Sequence, residues 1–212
     1  MKFCGRILKM AKYLLSVFIG LFVFGFLFLG AQAASDTTTL STDVQPSLSM
    51  VLSSNTYDFG NLTANAPEKG SAGIDIDVTT NATNGYTLAV SDSVAGNGSA
   101  LLHTDLTTRI SDFSAPISLP ELWVDTVSKG LGITVYAADT DKETKWGVGT
   151  TYDDSNNKYA GVPQNATTIH TSAGHKMGDD TTSVAFIVDV NPDQKPGTYS
   201  GDVTFTATAV LM

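Results

Sequence analysis

Cysteine is almost absent from this chain of 212 residues: Cys4 is the single one, and it precedes a long apolar run. A protein with one cysteine forms no internal disulfide, and it lacks the thiolate pairs that structural zinc sites use. Any folded part must therefore be stabilised by an apolar core and by hydrogen bonds. A chain of this length is long enough to bury such a core.

Basic residues are also scarce, with 12 Lys and Arg against 21 Asp and Glu and a formal net charge of −9. Lys2, Arg6, Lys9 and Lys12 all lie at the start, so the rest of the chain is more acidic than the total suggests. An acidic surface repels nucleic acids and anionic membranes. We therefore expect no nucleic acid partner.

The basic start is followed by an apolar run, YLLSVFIGLFVFGFLFLG at 13–30, and then by AQAAS. This order is typical of a secretory signal peptide, and the small residues predict cleavage between Ala33 and Ala34. The run exceeds the usual apolar region of about 7 to 15 residues and approaches the length of a membrane helix. An uncleaved anchor at 13–30 therefore stays an alternative. Either way we expect the rest of the chain to be extracellular, secreted or at the cell surface.

After a Ser/Thr-rich spacer at 34–47, residues 48–212 read as one folded domain. Apolar and polar residues alternate in several short segments bounded by Gly, Asn, Asp and Pro, which is the pattern of half-buried strands. The clearest of these segments are 74–78, 86–90, 131–135 and 184–190, together with a closing strand from Tyr199 to Ala209. No long helical stripe follows residue 33. We predict an all-β fold, an antiparallel two-sheet sandwich in which each sheet is apolar on one face only.

Two stretches carry a resemblance. YDFGNLTANAPEKGSAGIDIDVTTNATNGYTLAV at 57–90 and KPGTYSGDVTFTATA at 195–209 resemble the opening and closing strands of secreted bacterial immunoglobulin-like β-sandwich domains. Similar endings occur in fimbrial, spore-coat and surface-layer-associated proteins. The resemblance implies an immunoglobulin-like Greek-key fold and an extracellular setting. It implies no catalytic residues, since fold alone does not assign function.

Acidic residues at alternate loop positions suggest one candidate cation site. Asp139, Asp141 and Glu143 are spaced so that their oxygens could surround Ca²⁺. The full EF-hand pattern fails, because Thr144 stands at its glycine position and Thr150 at its final glutamate position. A solvated acidic loop is the favoured interpretation, and we expect no cofactor. His170 and His175, beside Asp179 and Asp180, are interpreted as polar loop residues.

Aromatic residues in the Gly- and Asn-rich middle of the chain suggest a possible ligand platform. Trp146 and Tyr152 could stack on sugar faces if they are exposed, whereas buried rings would close the ends of a sandwich. Burial is the favoured interpretation for both of them, as it is for Trp123 and Tyr159.

No sequence motif of a nucleophilic enzyme, a dinucleotide site or a P-loop is present, so we expect no enzymatic activity. The leading hypothesis is an exported structural or adhesion protein. Its partners would be other surface proteins or glycans. Its closing strand could also pair with a second copy by strand addition, but pairing within its own sheet is the favoured interpretation. An extracellular carbohydrate-binding module is the alternative, and a secreted hydrolase ranks third.

Overall fold

The computed structural model describes residues 38–92 and 101–211. The predicted leader 1–33, the cleavage site at Ala33 and Ala34, the apolar run 13–30 and the start of the spacer lie outside the described residues. The chain divides into two units, Met1–Asp43 and Val44–Met212. In the first unit, residues 38–43 are exposed and have no regular secondary structure.

The described part of the second unit is all-β, as the sequence predicts. It contains one short 3₁₀ helix, Thr144–Trp146. Twelve strands follow in chain order: β1 Leu48–Leu52, β2 Ile74–Thr80, β3 Tyr86–Asp92, β4 Leu101–His103, β5 Arg109–Ile110, β6 Glu121–Leu122, β7 Gly130–Ala138, β8 Lys158–Gly161, β9 Thr167–Ser172, β10 Lys176–Asp189, β11 Tyr199–Ser200 and β12 Val203–Ala209.

These strands form three sheets, and all the strand pairs are antiparallel. The largest sheet has the order β1-β2-β10-β7-β8-β6, and two three-stranded sheets have the orders β12-β3-β9 and β11-β4-β5. Strand β10 is the centre of the large sheet, because it pairs with β2 over one part of its length and with β7 over another. One core is shared by apolar side chains of the large sheet and of the β12-β3-β9 sheet.

The alternation in the sequence places side chains correctly in β2 and β3. Every second residue of both strands is buried, and the residues between them are half-buried. Ile76, Val78, Leu88 and Val90 are all completely buried. Alternate side chains of a strand point to opposite faces, so both strands turn an apolar face to the shared core.

The expectation that each sheet is covered on one side only is wrong for β7 and β10. Residues 130–135 of β7 and 182–189 of β10 are buried without alternation. The outer face is covered by a second apolar cluster in which Phe113, Tyr159 and Ile187 are buried and Trp123 packs beside them. The irregular segment between β5 and β7 supplies Phe113 and Trp123, so it forms an additional layer over the sheet.

The closing strand is also different from its prediction. It is interrupted at Gly201 and Asp202, so that β11 pairs with β4 while β12 pairs with β3. Within β12 the alternation holds, because Phe205 is buried and Thr204, Thr206 and Thr208 are exposed. The loop 191–198 therefore leads from the large sheet to the two smaller ones and does not close a hairpin.

Candidate functional site

The acidic loop that suggested a cation site uses two of its three carboxylates for other contacts. Asp139 Oδ2 accepts a hydrogen bond from the backbone N–H of Thr181 at 3.1 Å, and Glu143 forms an ion pair with Lys145 at 2.7 Å. Asp141 is exposed and has a positive φ of 32°. Within residues 38–92 and 101–211, no three His, Cys, Asp or Glu side chains are grouped so that they could hold a metal ion.

The indole of Trp146 is not accessible as a ligand platform. The side chain is completely buried, and its Nε1 donates a hydrogen bond to the carbonyl of Ile169 at 3.0 Å. Stacking on a sugar requires an exposed ring face, so the interpretation of Trp146 as a platform is replaced by a role in the core. Tyr159 is buried as well, whereas Tyr152 and Trp123 are half-buried.

A buried polar cluster lies where β3, β9 and β10 meet. It comprises Tyr86, Thr140, Ser172, Lys176 and Asp180, and we call it the Asp180 cluster. The Asp180 carboxylate accepts hydrogen bonds from the Tyr86 hydroxyl at 2.9 Å and from the Thr140 hydroxyl at 2.6 Å. Lys176 lies 3.8 Å from the same carboxylate and donates to Thr140 at 2.8 Å.

The electrostatics of the Asp180 cluster favour a charged carboxylate beside a neutral phenol. Burial by itself would raise the pKa of Asp180. The nearby hydroxyls of Ser172, Thr140 and Tyr86 and the charge of Lys176 outweigh burial and hold that pKa below its usual value. Burial, together with the bond to Asp180, raises the pKa of the Tyr86 hydroxyl. The cluster therefore links strands as a fixed network of donors around one anion.

His170 packs against this cluster and does not lie in a polar loop. It belongs to β9 and is buried, with its ring centroid 6.4 Å from that of Tyr86. Neither ring nitrogen has a hydrogen-bond partner. Burial lowers the pKa of His170, with Lys176 and Lys145 acting in the same direction and Asp180 and Glu143 opposing. His175, in contrast, is exposed.

An open cleft of about 580 Å³ lies between residues 57–64 and residues 190–201, and the second segment includes β11. Tyr57, Phe59 and Tyr199 contribute aromatic rings, and Asn61 and Asn191 contribute exposed amides. A smaller hollow of about 160 Å³ shares Tyr57 and Phe59 and is lined by Phe186 and Phe205 of the core. Ligand sites typically have volumes of about 300 to 1,000 Å³ with apolar walls and a few polar groups.

Hydrogen bonds hold the walls of this cleft in place. The Tyr199 hydroxyl donates to the carbonyl of Lys195 at 2.7 Å and accepts from Gln194 Nε2 at 2.6 Å. On the opposite wall the Tyr57 hydroxyl donates to the carbonyl of Lys69. Burial raises the pKa of Tyr57 to about 12, so this phenol stays neutral across the physiological range.

Sequence reasoning missed the cleft and the Asp180 cluster because their members are distant along the chain. Tyr57 and Tyr199 both occur inside the stretches that carry the immunoglobulin-like resemblance, which marks them as structural positions but not as neighbours. In the sequence Asp180 stands beside Asp179 and close to His170 and His175, a grouping that predicts a polar loop. The run TTSVAFIVD follows it and is typical of a buried strand. Because a strand can begin in polar residues, this run is the signal that Asp180 belongs to the same strand.

The described residues include no helix of the length and apolarity that crossing a membrane requires. No protein-family model matches the chain, and comparison with curated proteins finds no significant match.

Proposed function

We propose that this protein is a non-enzymatic, exported surface protein with a structural or adhesive role, built as a two-layer sandwich of the immunoglobulin-like kind. The core shared by the large sheet and the β12-β3-β9 sheet supports two stacked layers. The predicted leader, with its predicted cleavage between Ala33 and Ala34, supports export, and the scarcity of basic residues fits a soluble protein outside the cell.

The observation that carries the proposal is the use of acidic side chains as cross-links between strands. Asp75 accepts from the Ser183 hydroxyl at 2.6 Å and Asp77 from the Thr181 hydroxyl at 2.7 Å, which joins β2 to β10. Asp189 pairs with Lys129 at 2.6 Å at the far end of β10. A scaffold without disulfides gains rigidity from such satisfied networks. Carboxylates engaged in this way stabilise the fold by joining neighbouring strands.

Export is tested by fractionating cells that express the full chain and measuring the intact mass of the product. We expect the protein outside the cell or at its surface, with Ala34 as the first residue. An uncleaved chain in the membrane fraction, open to external protease, would support the anchor alternative and the same function. A product retained in the cytosol and protected from external protease would contradict the proposal.

Carbohydrate binding is a second candidate function, favoured by the cleft between residues 57–64 and 190–201. Aromatic rings and amide groups are the side chains that bind sugars. Titration with soluble cell-wall glycans, followed by amide NMR, would shift signals of these two segments. Phe59→Ala would abolish the shifts, and the control Val148→Ala, at an 80% exposed position, would leave them unchanged. Glycan-induced shifts confined to other parts of the molecule would exclude the cleft.

A further inference from the structure

Strand β12 has one open edge. It pairs with β3 from Val203 to Ala209, and no strand within residues 38–92 and 101–211 pairs with its other side. The backbone N–H of Val210 donates to the carbonyl of Gly85 at 2.9 Å, which marks a hydrogen-bonded pair of the β12–β3 ladder. Such pairs alternate along an antiparallel ladder. Every second residue from Val203 to Ala209 therefore directs its N–H and C=O to the open edge.

In its own sequence and pairing, this edge lacks the features that usually keep edge strands apart, and β1 approaches β12 without pairing with it. Natural proteins protect an edge with charged side chains, proline, bulges or a covering segment. The sequence of β12, VTFTATA, contains no charge and no proline, and its pairing with β3 has no register shift. An uncharged, regular edge carries none of the charge repulsion that a net charge of −9 gives the chain as a whole.

We propose that β12 pairs with β12 of a second copy of this chain, antiparallel, about a two-fold axis at Thr206. This inference rests on the proposed structural function and names its partner. In this register Phe205 lies opposite Ala207 of the second copy, and Val203 lies opposite Ala209. The outward-directed N–H and C=O groups of one β12 then form backbone hydrogen bonds with those of the other β12 along the whole strand. The two β12-β3-β9 sheets become one sheet of six strands.

The order of side chains along β12 fits a two-fold axis. On the core face the strand runs from large residues, Val203 and Phe205, to small ones, Ala207 and Ala209. An antiparallel copy places each large side chain opposite a small one. On the outer face Thr204 lies opposite Thr208, and such threonine pairs stabilise a sheet. Asp202 lies opposite Val210 of the copy, so the two carboxylates remain apart.

Cysteine cross-linking tests this register in the exported full chain carrying Cys4→Ser. Thr206→Cys lies opposite itself across the axis in a non-hydrogen-bonded pair, where the Cα atoms are about 4.5 Å apart and a disulfide can form. The matched control is Thr204→Cys, whose counterpart in the copy is four residues away, about 13 Å along the strand. We expect oxidation to give a disulfide dimer for Thr206→Cys only. Equal cross-linking of the two variants, or none in either, would overturn the proposal.

Sedimentation equilibrium tests the hydrogen bonds themselves. Ala207→Pro removes an N–H that points to the open edge, a place where strands tolerate proline. We expect this variant to keep the thermal midpoint of the parent and to weaken dimerisation by about tenfold or more. The control Ala207→Ser keeps both the N–H and the small side chain, and it should dimerise as the parent does. A parent that stays monomeric up to millimolar concentration, or an unchanged dimer in Ala207→Pro, would refute the pairing.

The outcomes separate this inference from the proposed function. A protein that is exported but monomeric would refute the β12 pairing and leave the surface role intact. A protein retained in the cytosol would refute the surface role, whatever its oligomeric state.

Discussion

The ion pair between Lys129 and Asp189 offers a quantitative test of how charge stabilises this fold. It joins the start of β7 to the end of β10 with an Nζ–Oδ2 distance of 2.6 Å. The Asp189 side chain is completely buried, and the Lys129 side chain is 18% exposed. The other carboxylate oxygen accepts from the backbone N–H of Val190 at 2.7 Å. We predict that Lys129→Met destabilises the protein, because the buried Asp189 carboxylate then keeps the hydrogen bond from Val190 but loses its ion pair.

The expected loss follows from burial. Removing one partner of a buried pair costs about 3 to 5 kcal/mol, and the partial exposure of Lys129 favours the lower end, about 3 kcal/mol. For a domain of this size that loss corresponds to a decrease in thermal midpoint of about 6 to 12 °C. Urea unfolding followed by tryptophan fluorescence would measure it, with Trp146 as the buried reporter.

The matched control is Lys145→Met. Its ion pair with Glu143 has a similar distance of 2.7 Å, but side-chain exposures of 24% and 37% place it at the surface. Surface pairs contribute about 1 kcal/mol or less. Equal losses in Lys129→Met and Lys145→Met, both below about 1 kcal/mol, would refute the claim that burial of Asp189 makes its pair important.

Three further predictions concern pH and backbone conformation. Burial lowers the pKa of His170 from 6.5, so the unfolded chain binds the proton more readily; stability is complete above pH 6.5 and decreases as the pH falls below it. His170→Gln should flatten that dependence in urea titrations, and exposed His175→Gln should not. Burial raises the pKa of Tyr159 to about 12, so stability is complete below pH 10 and is lost as the pH rises towards 12; Tyr159→Phe should reduce this alkaline loss. Gly85 has a φ of 79°, and an added Cβ would lie 1.9 Å from the carbonyl oxygen of Ser172. Gly85→Ala should therefore cost at least about 2 kcal/mol, while Gly178→Ala, whose Cβ would meet nothing within 4 Å, should cost less than about 0.5 kcal/mol. A tolerated Gly85→Ala would contradict the close approach of Gly85 to the carbonyl oxygen of Ser172 at the end of β9.

The sequence predicted the strands in which alternation is undisturbed. Residues 74–80 and 86–92 alternate because one face meets the core and the other is half-buried, which is the situation that period-two reasoning assumes. The same reasoning misjudged β7 and β10. Gly132, Thr134 and Ala185 are small or polar by sequence, yet all three are buried, and a Cβ added at Gly132 would lie 3.2 Å from the Trp123 ring. Nothing local in the sequence shows that a distant segment covers them.

Strand β9 was missed for a different reason. Its sequence TTIHTS is polar, and a register shift where it pairs with β3 places both Ile169 and His170 in the interior. A bulge of this kind breaks the alternation on which strand prediction relies. The cleft likewise depends on Tyr57 and Tyr199, which are distant in sequence and line opposite walls of it. Side chains that converge only through the topology leave no pattern along the chain.

The pairing of β3 with β12 has a consequence for how the molecule assembles. Tyr86 aligns with Ala209, so a strand made early in synthesis acquires this neighbour only when the end of the chain emerges. Contacts so distant in sequence slow folding, because a large loop must close first. Until then Leu88 and Val90 have neither their final neighbour nor the cover of Phe205. A chain shortened before Val203 would thus be open to proteolysis and aggregation. Strand β12 therefore completes the β12-β3-β9 sheet and its part of the core.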